Sequence, residues 1–156
     1  INYKNYTMML NDLSTINNDN INDYIMIDAN NFIKKTPFYI AIDNDFDTEF
    51  LEELLKKGAD INIGQLRNNY YQNRPPLSNA IKQSRGVKMI RFLLKNGADP
   101  NFLETSTWKT PLDYLYTNKS YSSLEKEIIK KMLLDKEAKT YIELSEWNKF
   151  TEVELN

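Results

Sequence analysis

Apolar residues recur at helical spacing in pairs of short segments along this chain. The first segment of each pair opens with a proline, at positions 37, 76 and 111, and proline favours the first turn of a helix. The second segment carries an apolar stripe on one helical face. The stripes are Phe50, Leu51, Leu54 and Leu55, then Met89, Ile90, Leu93 and Leu94, then Ile128, Ile129, Met132, Leu133 and Leu134. The pattern predicts three helix–turn–helix units.

Two of these units close with nearly the same nine residues. Residues 54–62 (LLKKGADIN) return as residues 93–101 (LLKNGADPN), with seven identical positions and glycines 39 residues apart (97 − 58). We expect Gly58 and Gly97 to end their helices in the left-handed conformation, which glycine adopts readily. In the third unit residues 135–138 (DKEA) stand at this place, so the glycine stop is lost. A match at fixed offset indicates a repeat protein whose units pack mainly on their neighbours.

The opening Thr-Pro-Leu at residues 110–112 and the two Gly-Ala-Asp-x-Asn sequences resemble the ankyrin repeat. The resemblance implies an all-α ankyrin-repeat solenoid of stacked helix–turn–helix units with short β-hairpin fingers. The stretch from Gly58 to Pro76 spans 18 positions, against 14 from Gly97 to Pro111, so we expect an enlarged finger after the first unit. The histidine of the family's Thr-Pro-Leu-His motif is replaced by Tyr39, Ser78 and Asp113, an exchange that bears on local hydrogen bonding and not on the fold.

We assign residues 1–156 to one ankyrin-repeat domain. Residues 1–35 form a degenerate leading repeat or N-cap, with one amphipathic helix from about Met8 to Ile16. Repeats follow at residues 36–74, 75–109 and 110–138. Residues 139–156 form a C-terminal cap in which Trp147 and Phe150 pack, because the last unit of a stack must present an atypical outer face.

Composition excludes several kinds of chemistry. The chain has no Cys and no His, which removes disulfides, thiol nucleophiles, imidazole bases and zinc sites built on these residues. Its four glycines form neither a phosphate-binding loop nor a dinucleotide fingerprint. We therefore expect no enzyme activity, no cofactor, no metal and no small-molecule substrate.

No apolar run approaches the roughly 18 residues that a spanning helix needs. We expect a monomer without a membrane span, and we favour an intracellular location. Because the chain begins with Ile1 rather than Met, removal of a signal segment stays an open alternative.

Charge is segregated along the chain. Residues 61–98 hold seven Lys or Arg and no Asp or Glu, and the remainder holds 20 − 7 = 13 basic against 22 acidic residues. This basic repeat has three interpretations: it meets an acidic protein surface, it binds nucleic acid, or it balances its acidic neighbours. We favour the first and third, since a chain with a pI of about 5.3 opposes long-range attraction to phosphates.

The resemblance implies protein binding through finger tips and the concave face of the first helices. Arg and Tyr are frequent interface hot spots, which draws attention to the enlarged finger, residues 63–74. Alternatively, its tyrosines fold back onto neighbouring helices. Trp108 replaces a finger glycine and either anchors a partner beside Tyr71 or packs on the preceding finger. The candidates for partner contact are Asp43, Asn44, Lys82 and Gln83 on the concave face, Arg67, Tyr70, Tyr71 and Arg74 on the finger, and Trp108.

We therefore predict a non-catalytic protein–protein interaction module with a partner that presents an acidic surface. The first alternative is a dedicated inhibitor, such as an immunity protein or host-directed effector, that blocks one target. Another is a scaffold fragment of a larger protein. An enzyme or nucleic-acid binder on a repeat scaffold is disfavoured by the lack of His and Cys and by the acidic pI.

Overall fold

The computed structural model describes residues 17, 19–67 and 70–146, and at residues 70–72 it describes the backbone alone. The predicted helix between Met8 and Ile16 lies outside the described residues, as do Trp147 and Phe150. Among the described residues there are six named helices and four strands. No helix in this part of the chain is long and apolar enough to cross a membrane.

The helices form the three pairs that the apolar pattern predicts. They are α1 (Pro37–Asp43) and α2 (Thr48–Lys56), α3 (Pro76–Lys82) and α4 (Gly86–Lys95), and α5 (Pro111–Thr117) and α6 (Ser123–Leu134). Residues 141–146 are helical as well. The first helix of each pair is seven residues long, so most of its stability must come from packing rather than from intrinsic helix propensity.

Capping side chains set where four of these helices begin. Thr36 accepts a hydrogen bond from the Tyr39 backbone N–H, and Asp47 caps α2 in the same way. Thr110 with Asp113 forms a capping box at α5, and Ser122 with Glu125 forms another at α6. Each box pairs two backbone N–H groups that the first turn of a helix leaves without partners.

The core consists of the apolar faces that neighbouring helix pairs turn toward each other. Ala41 and Ala80 are completely buried, and these small side chains let α1 pack on α3 and α3 on α5. The second helices contribute Leu51, Leu54 and the stripe of α4, while α6 buries Ile129 and Leu133. Leu134, which the pattern included in the last stripe, is 47% exposed. Burial of apolar surface at about 25 cal/mol per Å² is the main force holding such a stack together.

The second helices all end in the same left-handed turn. Gly58 and Gly97 each have φ +93°, and the next residue, Ala59 or Ala98, donates its N–H to a carbonyl five residues back. The third unit keeps this geometry without glycine: Glu137 has φ +59°, and Ala138 donates to the carbonyl of Leu133. Loss of the glycine therefore does not remove the stop.

The fingers form one antiparallel sheet in the order β1-β2-β3-β4. Its strands are β1 (Ile25–Asp28), β2 (Ile33–Lys35), β3 (Gln65–Arg67) and β4 (Tyr70–Arg74). The β3–β4 hairpin is the enlarged finger, and β2 pairs with β3 through Lys34 opposite Leu66 and Lys35 opposite Gln65. The next finger is reduced to a single bridge between Glu104 and Lys109. Two fingers are thus joined into a continuous sheet, while the third stands apart from it.

A series of asparagines joins successive units near the turns that end the second helices; we call this series the asparagine ladder. Asn22, Asn62 and Asn101 each donate a side-chain N–H to a backbone carbonyl of the next unit and accept a backbone N–H from it. The carbonyls belong to Gly58, Gly97 and Glu137, at 2.9, 3.3 and 3.1 Å, and the N–H groups to Asp60, Asp99 and Lys139, at 2.7, 2.8 and 2.7 Å. The role of Asn22 shows that residues 19–35 continue the repeat geometry toward the N-terminus.

Candidate functional site

An ion pair between a partly exposed arginine and a buried glutamate supports the base of the enlarged finger. Arg74, the last residue of β4, donates to Glu104 from Nε at 2.9 Å and from a terminal nitrogen at 2.7 Å. Glu104 is 2% exposed and also accepts hydrogen bonds from Tyr114 Oη and Ser106 Oγ. The network links the finger, the following bridge and α5.

The charge of this pair is stabilised by hydrogen bonds. Burial alone would raise the pKa of Glu104, but the hydrogen bonds from Arg74 and Tyr114 outweigh it, and the pKa lies below its ordinary value. The hydrogen bonds that Arg74 donates to Glu104 hold the pKa of Arg74 above its ordinary value. Sequence reasoning missed Glu104, because a single carboxylate 30 residues from its partner leaves no periodic signal.

The finger itself places Arg67 in solvent. Arg67 ends β3 and is exposed, whereas Asn68 and Asn69 lie outside the described residues. The backbone of Tyr70 and Tyr71 belongs to β4, but their side chains are not among those described, so their predicted contact role stays a prediction. Gly64 is required at the finger base, since a Cβ there would lie 1.9 Å from the Arg74 carbonyl oxygen.

The acidic and amide candidates of the concave face are hydrogen-bonded within the chain. Asp43 pairs with Lys35 and accepts hydrogen bonds from Asn79 at 2.8 Å and Gln83 at 2.7 Å. Gln83 also accepts from Arg85 at 2.7 Å, while Asn44 donates to the Ile40 carbonyl at 2.8 Å. These contacts hold the concave ends of α1 and α3 in register.

Further along the concave face, two lysines lie beside one tyrosine ring. Lys82 Nζ is 5.9 Å and Lys109 Nζ 5.4 Å from the centroid of Tyr114, within the range of cation–π attraction. Partial burial lowers the pKa of Lys82, and the positive charges of Arg74, Lys109 and Arg67 lower it further, against an opposing effect of Glu104. Lys109 and Tyr114 were not among the predicted site residues, because their closeness to Lys82 depends on how the units stack.

Trp108 occupies a left-handed backbone position with φ +54° and is 56% exposed. Its ring centroid lies 5.6 Å from that of Tyr141, in the segment that follows the last repeat. The aromatic contact that the structure shows for Trp108 is with the C-terminal segment. The side chains of Tyr70 and Tyr71 on the preceding finger are not among those described, so both predicted roles of Trp108 stay predictions.

Three of the seven basic side chains in residues 61–98 are paired with acidic neighbours. Besides Arg74, Arg85 lies 3.6 Å from Asp45 and Lys88 lies 3.7 Å from Glu49. Arg67, Lys82, Arg91 and Lys95 make no ion pair with a described residue. Three basic side chains of this repeat thus neutralise acidic neighbours, and the positive charge of the other four is not neutralised by a described residue.

No group of three or more Asp or Glu side chains in the described ranges could hold a metal ion. The polar groups around Arg74 are hydrogen-bonded to one another, and Lys82 and Lys109 place positive charge beside Tyr114.

Comparisons with known proteins agree with the architecture. A family model described as ankyrin repeats, in three copies, matches residues 9–104, which include most of the proposed leading unit and stop before α5. The fold is similar to the crystal structure of an ankyrin repeat domain from Acinetobacter baumannii AYE, with a TM-score of 0.51 and 25% identity over 67% of this chain and 48% of that chain. This chain thus spans about half the length of that one. No curated protein sequence matches the chain.

Ankyrin repeats are generally protein–protein interaction modules, and the family is typically non-enzymatic. The predicted repeat fold, with stacked helix pairs and hairpin fingers, is confirmed. Because the family model matches more than half of its residues, the chain belongs to the ankyrin-repeat family.

Proposed function

We propose that this chain is a non-catalytic binding module that holds one protein partner with its enlarged finger and its concave face. The observation that carries the proposal is Arg67, an exposed arginine that has no ion-pair partner among the described residues. It lies on a hairpin whose base is held by the ion pair of Arg74 with the buried Glu104. A rigid support reduces the entropy that a contact loop loses on binding. The available positive charge favours a partner with an acidic surface.

The predicted site residues divide into two roles within this proposal. Arg67, Lys82 and Trp108 have exposed side chains, and with Tyr70 and Tyr71 they supply the direct contacts. Arg74, Asp43, Asn44 and Gln83 are already hydrogen-bonded within the chain, so their contribution is to hold the finger and the concave face in shape.

The test compares binding by wild type with binding by the triple variant Arg67→Ala, Tyr70→Ala, Tyr71→Ala. Arg74 is left unchanged, because its removal would strand a buried carboxylate and confound binding with unfolding. The matched control is Arg91→Gln with Lys95→Gln, which removes charge from the same repeat at α4, away from the finger.

Each variant serves as bait in a pull-down from a lysate of the source organism, and purified partner is then titrated by calorimetry. We expect one stoichiometric partner that the triple variant loses and the control retains. A partner bound equally by all three baits would contradict the finger assignment. A partner whose own activity is blocked would narrow the function to a dedicated inhibitor.

A further inference from the structure

A short groove crosses the concave face between the C-terminal ends of α3 and α5. It has a volume of about 320 Å³ and is lined by Lys82, Lys109 and Lys119 together with hydroxyl and amide side chains. No Asp or Glu lines it within the described part of the chain. A basic groove of this kind is unexpected in a chain whose net charge is −2.

The ring of Tyr114 lines the groove, and hydrogen bonds to its hydroxyl fix its position. The Tyr114 hydroxyl hydrogen-bonds to Glu104 and lies 3.0 Å from Thr107 Oγ1. Lys82 and Lys109 are both within 6 Å of this ring, and Lys109 also donates to Thr117 Oγ1 at 3.2 Å. Both ammonium groups thus lie beside one ring that is itself held by hydrogen bonds.

The positive charge of the groove is not neutralised by the described residues around it. None of its three lysines forms an ion pair with them. Glu104, whose charge reaches Lys82, already carries the two hydrogen bonds from Arg74. Like charges held together and partly removed from water are unfavourable, so an arriving anion would relieve a cost that exists in the free protein.

We propose that this groove binds carboxylate side chains from an acidic peptide segment of the partner, with Lys82 and Lys109 as the main contacts and Lys119 at the edge. The inference rests on the proposed function, and it specifies which chemical groups of the partner contact this groove. A nucleic-acid strand fits less well, because the ring in the groove, Tyr114, is 6% exposed and offers no face for base stacking. The rest of the chain, with 13 basic and 22 acidic residues, would also repel a long polyanion.

The probe is a fluorescein-labelled hexaglutamate peptide, compared with a hexaglutamine peptide by fluorescence anisotropy at low ionic strength. We expect wild type to bind the glutamate peptide and not the glutamine peptide. The variant Lys82→Gln with Lys109→Gln should bind at least about tenfold more weakly. The control Arg91→Gln with Lys95→Gln removes the same net charge from the same repeat and should bind within about twofold of wild type.

Several results would overturn the inference. Equal weakening in both double variants would show attraction to net charge alone. Stronger binding of a thymidine oligonucleotide than of hexaglutamate, lost in the Lys82 and Lys109 variant, would assign the groove to nucleic acid. Thermal unfolding of each variant, followed by circular dichroism, shows that the fold is retained.

The outcomes for the groove and for the proposed function can be told apart. A partner recovered by the Lys82 and Lys109 variant with unchanged affinity, but lost by the finger variant, would sink the groove assignment and leave the proposed function standing. Binding of hexaglutamate with the expected variant pattern, without any protein partner, would support the groove and count against the proposed function.

Discussion

The left-handed residue that ends each second helix shows how one backbone position tolerates different side chains. Gly58 and Gly97 occupy it at φ +93°, and Glu137 occupies it at φ +59°. A residue with a Cβ in this region costs about 1–2 kcal/mol relative to a right-handed conformation. The third repeat therefore ends with a strained residue where the first two do not.

Replacing Glu137 with Gly should raise the free energy of unfolding by about 0.5–1 kcal/mol, because relief of the strained backbone exceeds the entropy cost of glycine in the unfolded chain. The converse change, Gly97→Ala, should lower it by about 1 kcal/mol. A Cβ at Gly97 meets nothing within 4 Å, so this loss would report backbone conformation alone. Urea unfolding checks both variants, and destabilisation by Glu137→Gly would contradict the account.

At the scale of elements, the asparagine ladder couples one repeat to the next through two hydrogen bonds per step. Asn62→Ala should lower the free energy of unfolding by about 1–2 kcal/mol, since both bonds are lost and two backbone groups lose a partner. Asn31→Ala is the control, because the bonds of Asn31 stay within the β1–β2 turn, and it should change stability by less than about 0.5 kcal/mol. Similar losses in the two variants, measured by urea unfolding, would show that the ladder adds nothing beyond a local turn.

The Arg74–Glu104 ion pair also joins separate elements, and its glutamate is buried. Glu104→Gln should lower the free energy of unfolding by about 3 kcal/mol, because Arg74 would keep its charge without a charged partner. Arg74→Ala should have an effect of similar size. Chemical denaturation at neutral pH measures both losses, and losses below 1 kcal/mol would show that water replaces the pair without cost.

The same pair gives a pH dependence with a definite sign. The pKa of Glu104 is lowered in the folded protein relative to its ordinary value of 4.5, so the folded state binds its proton less readily than the unfolded state does. The stabilisation is complete above the ordinary value and is lost as the pH falls through the folded value. Denaturation curves from pH 6 to acid should therefore show a shallower loss of stability in Glu104→Gln than in wild type. If the stability of wild type and of Glu104→Gln fell in parallel with pH, the titration of Glu104 would not contribute to the pH dependence.

At the scale of the whole molecule, basic charge is concentrated in one repeat of an acidic chain. Such a distribution accelerates encounter with an acidic partner more than it strengthens the final complex. We expect the association rate constant to fall by about tenfold on going from low to high salt, with the dissociation rate changed by less than about twofold. Arg67→Gln with Lys82→Gln should flatten this salt dependence, and stopped-flow measurements with the purified partner check it. If salt changed only the dissociation rate constant, electrostatic steering of the encounter would be contradicted.

The interactions predicted correctly from the sequence are those that a few neighbouring residues decide. Proline at a first helical turn and the left-handed glycines act over three or four residues, and the apolar stripes follow from the helical period. The repeated nine residues then identify the family and the stacking of its units. These features determine helix pairs, their order and the class of function.

Only the tertiary structure decided which polar groups are free and which are already bonded. Arg74 and Glu104 are separated by 30 residues, and Asp43 and Gln83 by 40, so their contacts depend on the rise and rotation of one unit on the next. The pairing of β2 with β3 and the position of Lys109 beside Tyr114 depend on the same geometry. A repeat pattern specifies the unit strongly, but small changes in finger length and stacking angle move surface side chains by several ångströms. The residues of the core could therefore be predicted from the sequence, whereas the arrangement of the candidate site could not.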